Sequence, residues 1–172
     1  MALTSAKVLV NNPATGGMAE VAPTVVSPGA AAAGQAVGLD PTGKLDASVL
    51  PVGIGPSTAI LTASEALSAG ALVNVWSNAG VFSARNADNS ATGKEAHGFV
   101  VAAAAAGAPA TVYFADLNNQ LSALTPGIQF LGPAGTVVGT APIGTGKVVQ
   151  RVGLAVSATT LDFEPMPPIL LA

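Results

Sequence analysis

Glu95 and His97, in the stretch KEAHGF, come nearest to a catalytic pair by type and spacing. Two residues apart on a strand, both side chains project on one face and can relay a proton. His97 is the sole histidine, and no cysteine is present to serve as a nucleophile. No G-x-S-x-G turn offers a serine in its place. The plainer reading is a strand histidine that faces solvent or is satisfied locally, and that reading is adopted.

Two further stretches imitate ligand loops. PIGTGKVV has the Gly-Lys of a phosphate loop, but that pattern needs glycine at 141 and serine or threonine at 148, where Ala141 and Val148 stand. Its glycines, Gly144 and Gly146, are expected to make a hairpin turn instead. DNSATG, from Asp88, sets oxygens at alternate positions with a glycine sixth, as a calcium loop does. The twelfth position, where a bidentate Glu is required, is Phe99. A single histidine and no cysteine also argue against zinc. The acidic residues are dispersed, which does not suit the paired carboxylates of glycoside hydrolysis. No catalytic residue, cofactor or metal is therefore expected, and the chain is not read as an enzyme.

Composition narrows the partners. Lys and Arg number 6 against 9 Asp and Glu, for a net charge of −3 with no run of either sign. That is no footprint for nucleic acid. Only 9% of residues are charged while 50% are hydrophobic, so part of the surface is expected to be covered by copies or partners. The opening MALTSAKVLVNNP has an apolar run too short for a signal-peptide core. The longest apolar stretch, FVVAAAAAGAPATVYF, is broken by Gly107 and Pro109 and falls short of the ~20 residues of a membrane span. A soluble protein without membrane contact is expected.

The elements that carry these residues divide by ring content. Trp76, Phe82, Phe99, Tyr113, Phe114, Phe130 and Phe163 are all the aromatics, and none precedes residue 76. Rings supply much of a core's buried area, so residues 1–55, rich in Pro, Gly and Ala, read as an extended, mostly irregular arm. Residues 56–165 read as a compact all-β domain, sandwich-like or barrel-like, because short apolar runs alternate with turn signals about every ten residues. Strands are expected at Ala59–Leu61, Leu72–Trp76, Val81–Asn86, Gly98–Ala104, Ala110–Leu117, Ile128–Leu131, Val137–Thr140, Lys147–Val156 and Thr160–Phe163. In the best alternating run, VVQRVGLAV, Val148, Val152, Leu154 and Val156 share a face with Gln150 as the exception. VVAAAAAG reads as one arm of a hairpin whose alanines lie close to another backbone, such as that of a neighbouring subunit. Residues 166–172 form a proline-rich tail, and Ile169 and Leu170 mark it as a docking segment.

The stretches LSAGALVNVW, ADNSATGKEAHGFV, ATVYF, LTPG and VVQRVGLAVSATTLDFEP resemble a module of tailed-bacteriophage capsid decoration (cement) proteins. A similar module occurs in some phage fibre proteins. The resemblance covers Ala63 to Pro165 and implies a tulip-like β-module. It further implies a homotrimer on the outer surface of the virion capsid, assembled in the host cytoplasm and clamping the major capsid protein at capsomer junctions. It supplies no catalytic residue. The alternative it leaves is a fibre or head-spike module that engages a host surface, although no heptad run suggests a shaft.

GLDPTGKLDASVLP is similar to connectors that precede such modules. Asp40–Gly43 matches a type I turn. Asp46 is placed to cap one helical turn, Leu45 and Leu50 to staple it, and Pro51 to end it. Leu39, Leu45, Val49 and Leu50 then need a surface, supplied by the β-domain, a sister subunit or the capsid. Together with Ile169 and Leu170 they are the expected interface residues.

Overall fold

The computed structural model describes residues 7–12, 14–50 and 55–172. The chain divides into two units, Met1–Gly55 and Pro56–Ala172.

The first unit is irregular for most of its length, but it is not simply a stretched arm. It opens with a hairpin of β1 (Val8–Asn12) and β2 (Gly17–Val21). Asn12 builds the turn. Its carbonyl accepts from Gly16 N at 2.8 Å, and its side-chain oxygen accepts from Ala14 N at 3.0 Å. NNPATGG, read from sequence as irregular chain, is thus a hairpin loop. Farther on, Thr24 N donates to Ala36 O at 2.8 Å and Gly38 N to Thr24 O at 3.0 Å, which closes a loop. A short 3-10 turn, Gly29–Ala32, lies inside it, and a second, Ala47–Val49, follows. No described residue of this unit is buried. An isolated two-stranded hairpin is marginal in water, and here one cross-strand ion pair, Lys7 Nζ to Glu20 Oε2 at 2.9 Å, lies at the surface, where such pairs contribute little.

The second unit is all-β. Five strands close a barrel in the order β3 (Thr58–Ala63), β5 (Val81–Asn86), β4 (Leu72–Asn78), β6 (Gly98–Val100), β7 (Pro109–Tyr113) and back to β3. Only β3 and β5 run parallel. The β4–β5 hairpin turns on Ala79 and Gly80, at φ of 51° and 86°. Positive φ at both central residues is the type I′ turn, whose twist matches that of the strands.

A second sheet is antiparallel throughout, in the order β10 (Val137–Val138), β9 (Gly127–Leu131), β12 (Arg151–Ala155), β13 (Leu161–Phe163), β8 (Asp116–Asn118). β11 (Val148–Val149) pairs instead with β14 (Ile169–Leu170). The tail's strand is therefore at an edge, which suits a chain interrupted by Pro165, Pro167 and Pro168.

Two cores result. Inside the barrel, alternate residues of β3, β5 and β7 turn inward, and the space is filled by small groups: Ala63, Ala84, Ala110, Val73, Val100 and Val112. Between barrel and sheet the filling is larger: Leu72, Phe99, Leu131, Val152, Leu161 and Phe163. Phe99 stacks on Tyr113 and meets Phe163 edge-on, each at 5.4 Å between centroids, the geometries that aromatic quadrupoles favour.

Five expectations are corrected. Ala110–Leu117 is two strands, because the chain breaks after Tyr113 and restarts at Asp116 with φ of 116°. Lys147–Val156 is interrupted at Gln150, so β11 and β12 join different sheets, and with a register shift between Arg151 and Gly153 the buried Val148 and Val152 do not share a face with the exposed Leu154 and Val156. The Gly144–Gly146 turn consequently does not close a hairpin, since the β11 that follows it pairs with β14. The alanine run stops being strand after Val100: Ala102, Ala103, Ala105 and Ala106 are exposed, and only Ala104 approaches another backbone, that of Leu67 in the same unit.

Candidate interaction surfaces

Glu95 and His97 do not form a pair. Both precede β6 and bind the backbone separately. Glu95 Oε1 accepts from Gly93 N at 2.9 Å, and His97 Nδ1 accepts from Val75 N at 3.1 Å. In neutral His97 that bond leaves the proton on Nε2. The polar groups around them are engaged as well. Asn74, buried in β4, donates to Glu95 O at 2.8 Å and accepts from Arg85 Nε at 3.0 Å. The Arg85 guanidinium lies 4.5 Å from the Trp76 ring centroid, a cation–π contact. Trp76 Nε1 in turn donates to Ser64 Oγ at 3.1 Å. These groups hold strands together.

Gln150, the exception in the alternating run, is the most informative polar residue. It is 3% exposed and makes three bonds: Oε1 accepts from Ala96 N at 2.7 Å, and Nε2 donates to Ala96 O at 3.0 Å and Met166 O at 3.2 Å. A buried amide must be satisfied in this way. Its polarity on an apolar face was the sequence signal, and the tail's Met166 is one of its partners. Beside it a cleft of about 390 Å³ is lined by Glu95, His97, Gln150, Pro165, Met166 and Pro168.

The DNSATG loop also serves itself. Asp88 Oδ1 accepts from Ser90 N at 2.7 Å and Oδ2 from Ala134 N at 3.3 Å. Burial pushes the Asp88 carboxyl upward, but the bonds from Ser90 and Ala134, with Lys94 nearby, outweigh it and hold the group below its usual value. Among the described residues no cluster of His, Cys, Asp and Glu is arranged to hold a metal. No described helix is long and apolar enough to cross a membrane.

The residues singled out as interface lie in two places. In the first unit, Asp40 makes the turn. Gly43 N donates to Asp40 O at 2.9 Å, and Asp40 Oδ1 accepts from Thr42 N at 2.8 Å, Thr42 Oγ1 at 2.7 Å and Lys44 N at 2.9 Å. The Lys44 bond is the main reason its carboxyl stays below the ordinary range. Asp46 Oδ1 accepts from Ser48 N at 2.9 Å, which caps the Ala47–Val49 turn and depresses its carboxyl through Ser48. Ser48 Oγ then accepts from Ser27 N at 2.8 Å. On this fixed backbone Leu39 and Leu45 are exposed, while Val49 and Leu50 are half-buried. Pro51 lies outside the described residues.

In the second unit, Ile169 and Leu170 are 64% and 55% exposed although their strand is bonded to β11. Gly146 N donates to Leu171 O at 2.8 Å and Leu171 N to Lys147 O at 2.9 Å, so the tail's backbone is held while its side chains face water. Sequence reasoning missed the exposed Ile60, Phe82 and Ile143, and the outward aliphatics of the five-stranded sheet. Strand alternation signals the latter only once the pairing order is known. No protein-family model, no curated protein and no solved structure matches the chain.

Proposed function

We propose that this chain is a non-enzymatic structural protein of a bacteriophage virion. It binds the outer surface of the capsid as a trimer at capsomer junctions and stabilises the head against internal pressure. Its partners are the major capsid protein and copies of itself.

One observation carries the reading beyond the sequence resemblance. Ile169 and Leu170 are exposed aliphatic side chains on a strand bonded to β11, and Leu39 and Leu45 are exposed beside a turn whose backbone is bonded at Gly38, Asp40 and Lys44. Such groups dock with less ordering entropy than the same residues on free chain. Several weak contacts presented together by an oligomer to a symmetric lattice reinforce one another through effective concentration. The sparse charge of the chain, 9% of residues, fits a protein that works covered rather than free.

Cosedimentation with expanded heads prepared without this chain tests the reading. Replacing Leu39, Leu45, Ile169 and Leu170 together by serine is expected to weaken binding at least tenfold, or about 1.4 kcal/mol. Heads that take up the wild-type and substituted chains equally, or neither, would sink it.

A further inference from the structure

The cleft of about 390 Å³ beside Gln150 is built from two unlike sets of residues. One is apolar: Pro165, Met166, Pro167 and Pro168 of the tail, all exposed. The other is polar, with Glu95 and His97 from the segment before β6 and Gln150 from between β11 and β12. Proline fixes its own φ, and three of the four tail residues are proline. That side of the cleft is therefore largely formed before anything enters it, which lowers the entropy cost of binding there.

What the polar groups can still do sets the sign of a ligand. Gln150 uses both hydrogens of Nε2, on Ala96 O and Met166 O. Its Oε1 accepts only from Ala96 N, and an amide oxygen has a second lone pair. The one capacity left to Gln150 is to accept. Glu95 is half-buried, and its Oε1 takes Gly93 N. Its other oxygen has no hydrogen bond, and Glu95 makes no salt bridge among the described residues. The cations on nearby residues are engaged elsewhere. Arg85 holds Asn74 Oδ1, Gly93 O and the Trp76 ring, and Lys94 bears on Asp88. The cleft thus keeps two free acceptors, one of them charged, next to an apolar wall.

We infer that this cleft is a slot for a lysine side chain presented by another protein. An ammonium is a compact charge with three donors, so one carboxylate oxygen and one amide oxygen serve it. A guanidinium fork calls for both carboxylate oxygens, and Glu95 Oε1 is already taken. The four-carbon stem lies on the prolines and Met166, as such stems cover apolar surface elsewhere. His97 separates a lysine in a chain from a free amine. Its Nδ1 is held by Val75 N, and the residue is exposed. Its Nε2–H is left to donate to the main-chain carbonyl of the incoming residue, a group that a free amine lacks. On the capsid reading the lysine belongs to the major capsid protein, but the chemistry of the slot does not rest on that reading.

NMR titration of the full chain with Nα-acetyl-lysine N-methylamide is the test. Shifts are expected at the Ala96 and His97 amides, the Gln150 side-chain amide and the Met166 methyl, saturating in the millimolar range and weakening with salt. The norleucine analogue keeps the stem without the charge, and butylamine keeps stem and charge without the carbonyl; both are expected to bind more weakly. Glu95→Gln retains an oxygen for Gly93 N and so the local fold, removes the charge, and is expected to weaken the lysine probe about fivefold. Met166→Ala trims the wall but leaves the carbonyl that Gln150 uses, for a smaller loss. A wild-type chain that shows no shifts overturns the inference. So does a norleucine analogue or butylamine that binds as well as the lysine probe, or an unchanged affinity in the Glu95→Gln chain. Head binding is measured separately: a chain that binds heads but not the probe refutes the slot, and one that binds the probe but not heads refutes the capsid reading.

Discussion

In Pro56–Ala172 large apolar side chains lie deep: Phe99, Phe163, Leu72, Leu131 and Leu161 are all below 2% exposed. In the described part of Met1–Gly55 no side chain is buried, and order comes from oxygen atoms such as Asn12 Oδ1, Asp40 Oδ1 and Asp46 Oδ1 on nearby backbone N–H groups. The difference teaches what each kind of order can resist. Burying a ring removes about 150–250 Å² from water, which at about 25 cal/mol per Å² is several kcal/mol. A carboxylate in open solvent exchanges one set of hydrogen bonds for another and gains little net. The second unit is therefore expected to unfold as a whole, and the turns of the first to open one at a time.

The largest break in that comparison comes from Phe163→Ala. Phe163 is 1% exposed and packs edge-on against Phe99. Removing it is expected to cost about 3–5 kcal/mol, read as a lowered urea midpoint by Trp76 fluorescence. Amide exchange at Thr42 and Lys44, whose bonds to Asp40 are local, should not change. Gln150→Leu comes next. It strands Ala96 N–H and C=O in a buried place, for a loss of about 1–3 kcal/mol. It also frees Met166 O, so faster exchange of the Leu171 amide is expected, and unchanged exchange would show that the bonds to β11 and from Met166 N to Arg151 O suffice to hold the tail.

The smallest effect sharpens the comparison from the other side. Asp40→Ala is expected to expose the Thr42 and Lys44 amides to fast exchange while the urea midpoint of the second unit stays put. Acid should do the same to the wild-type chain. The folded Asp40 titrates below the usual 3.8, so the turn's stabilisation is complete above that value and is lost as the pH falls through the lower folded one. A carboxyl-carbon titration of Asp40 by NMR checks the sign, since a midpoint at or above 3.8 would contradict it.

Much of this was legible because pattern and packing agree. Val81–Asn86 has the same bounds in sequence and structure, and the SNAG turn before it falls where Ala79 and Gly80 take positive φ. Asp40 and Asp46 could be placed because their bonding is local. What failed depended on distant partners. Nothing in VVQRVGLAV says that Val148 pairs with Leu170 while Arg151 pairs with Phe130. The β1–β2 hairpin was hidden because its loop residues also suit irregular chain and its strands bury nothing. The outward aliphatics at 117, 128 and 154 come from three separate segments, and only the register brings them into one row.

The way β3 sits in the barrel has a consequence in time rather than in energy. The β4–β5 hairpin closes on neighbouring residues and can form early. β3 precedes both of its partners in the chain, β5 in parallel and β7 in antiparallel pairing. Neither contact is a hairpin, and the second must wait for Pro109–Tyr113. Contacts of such sequence separation come late and slowly. Without β3 the remaining strands, in the order β5, β4, β6, β7, make only an open sheet, because β3 supplies both of the pairings that close the barrel.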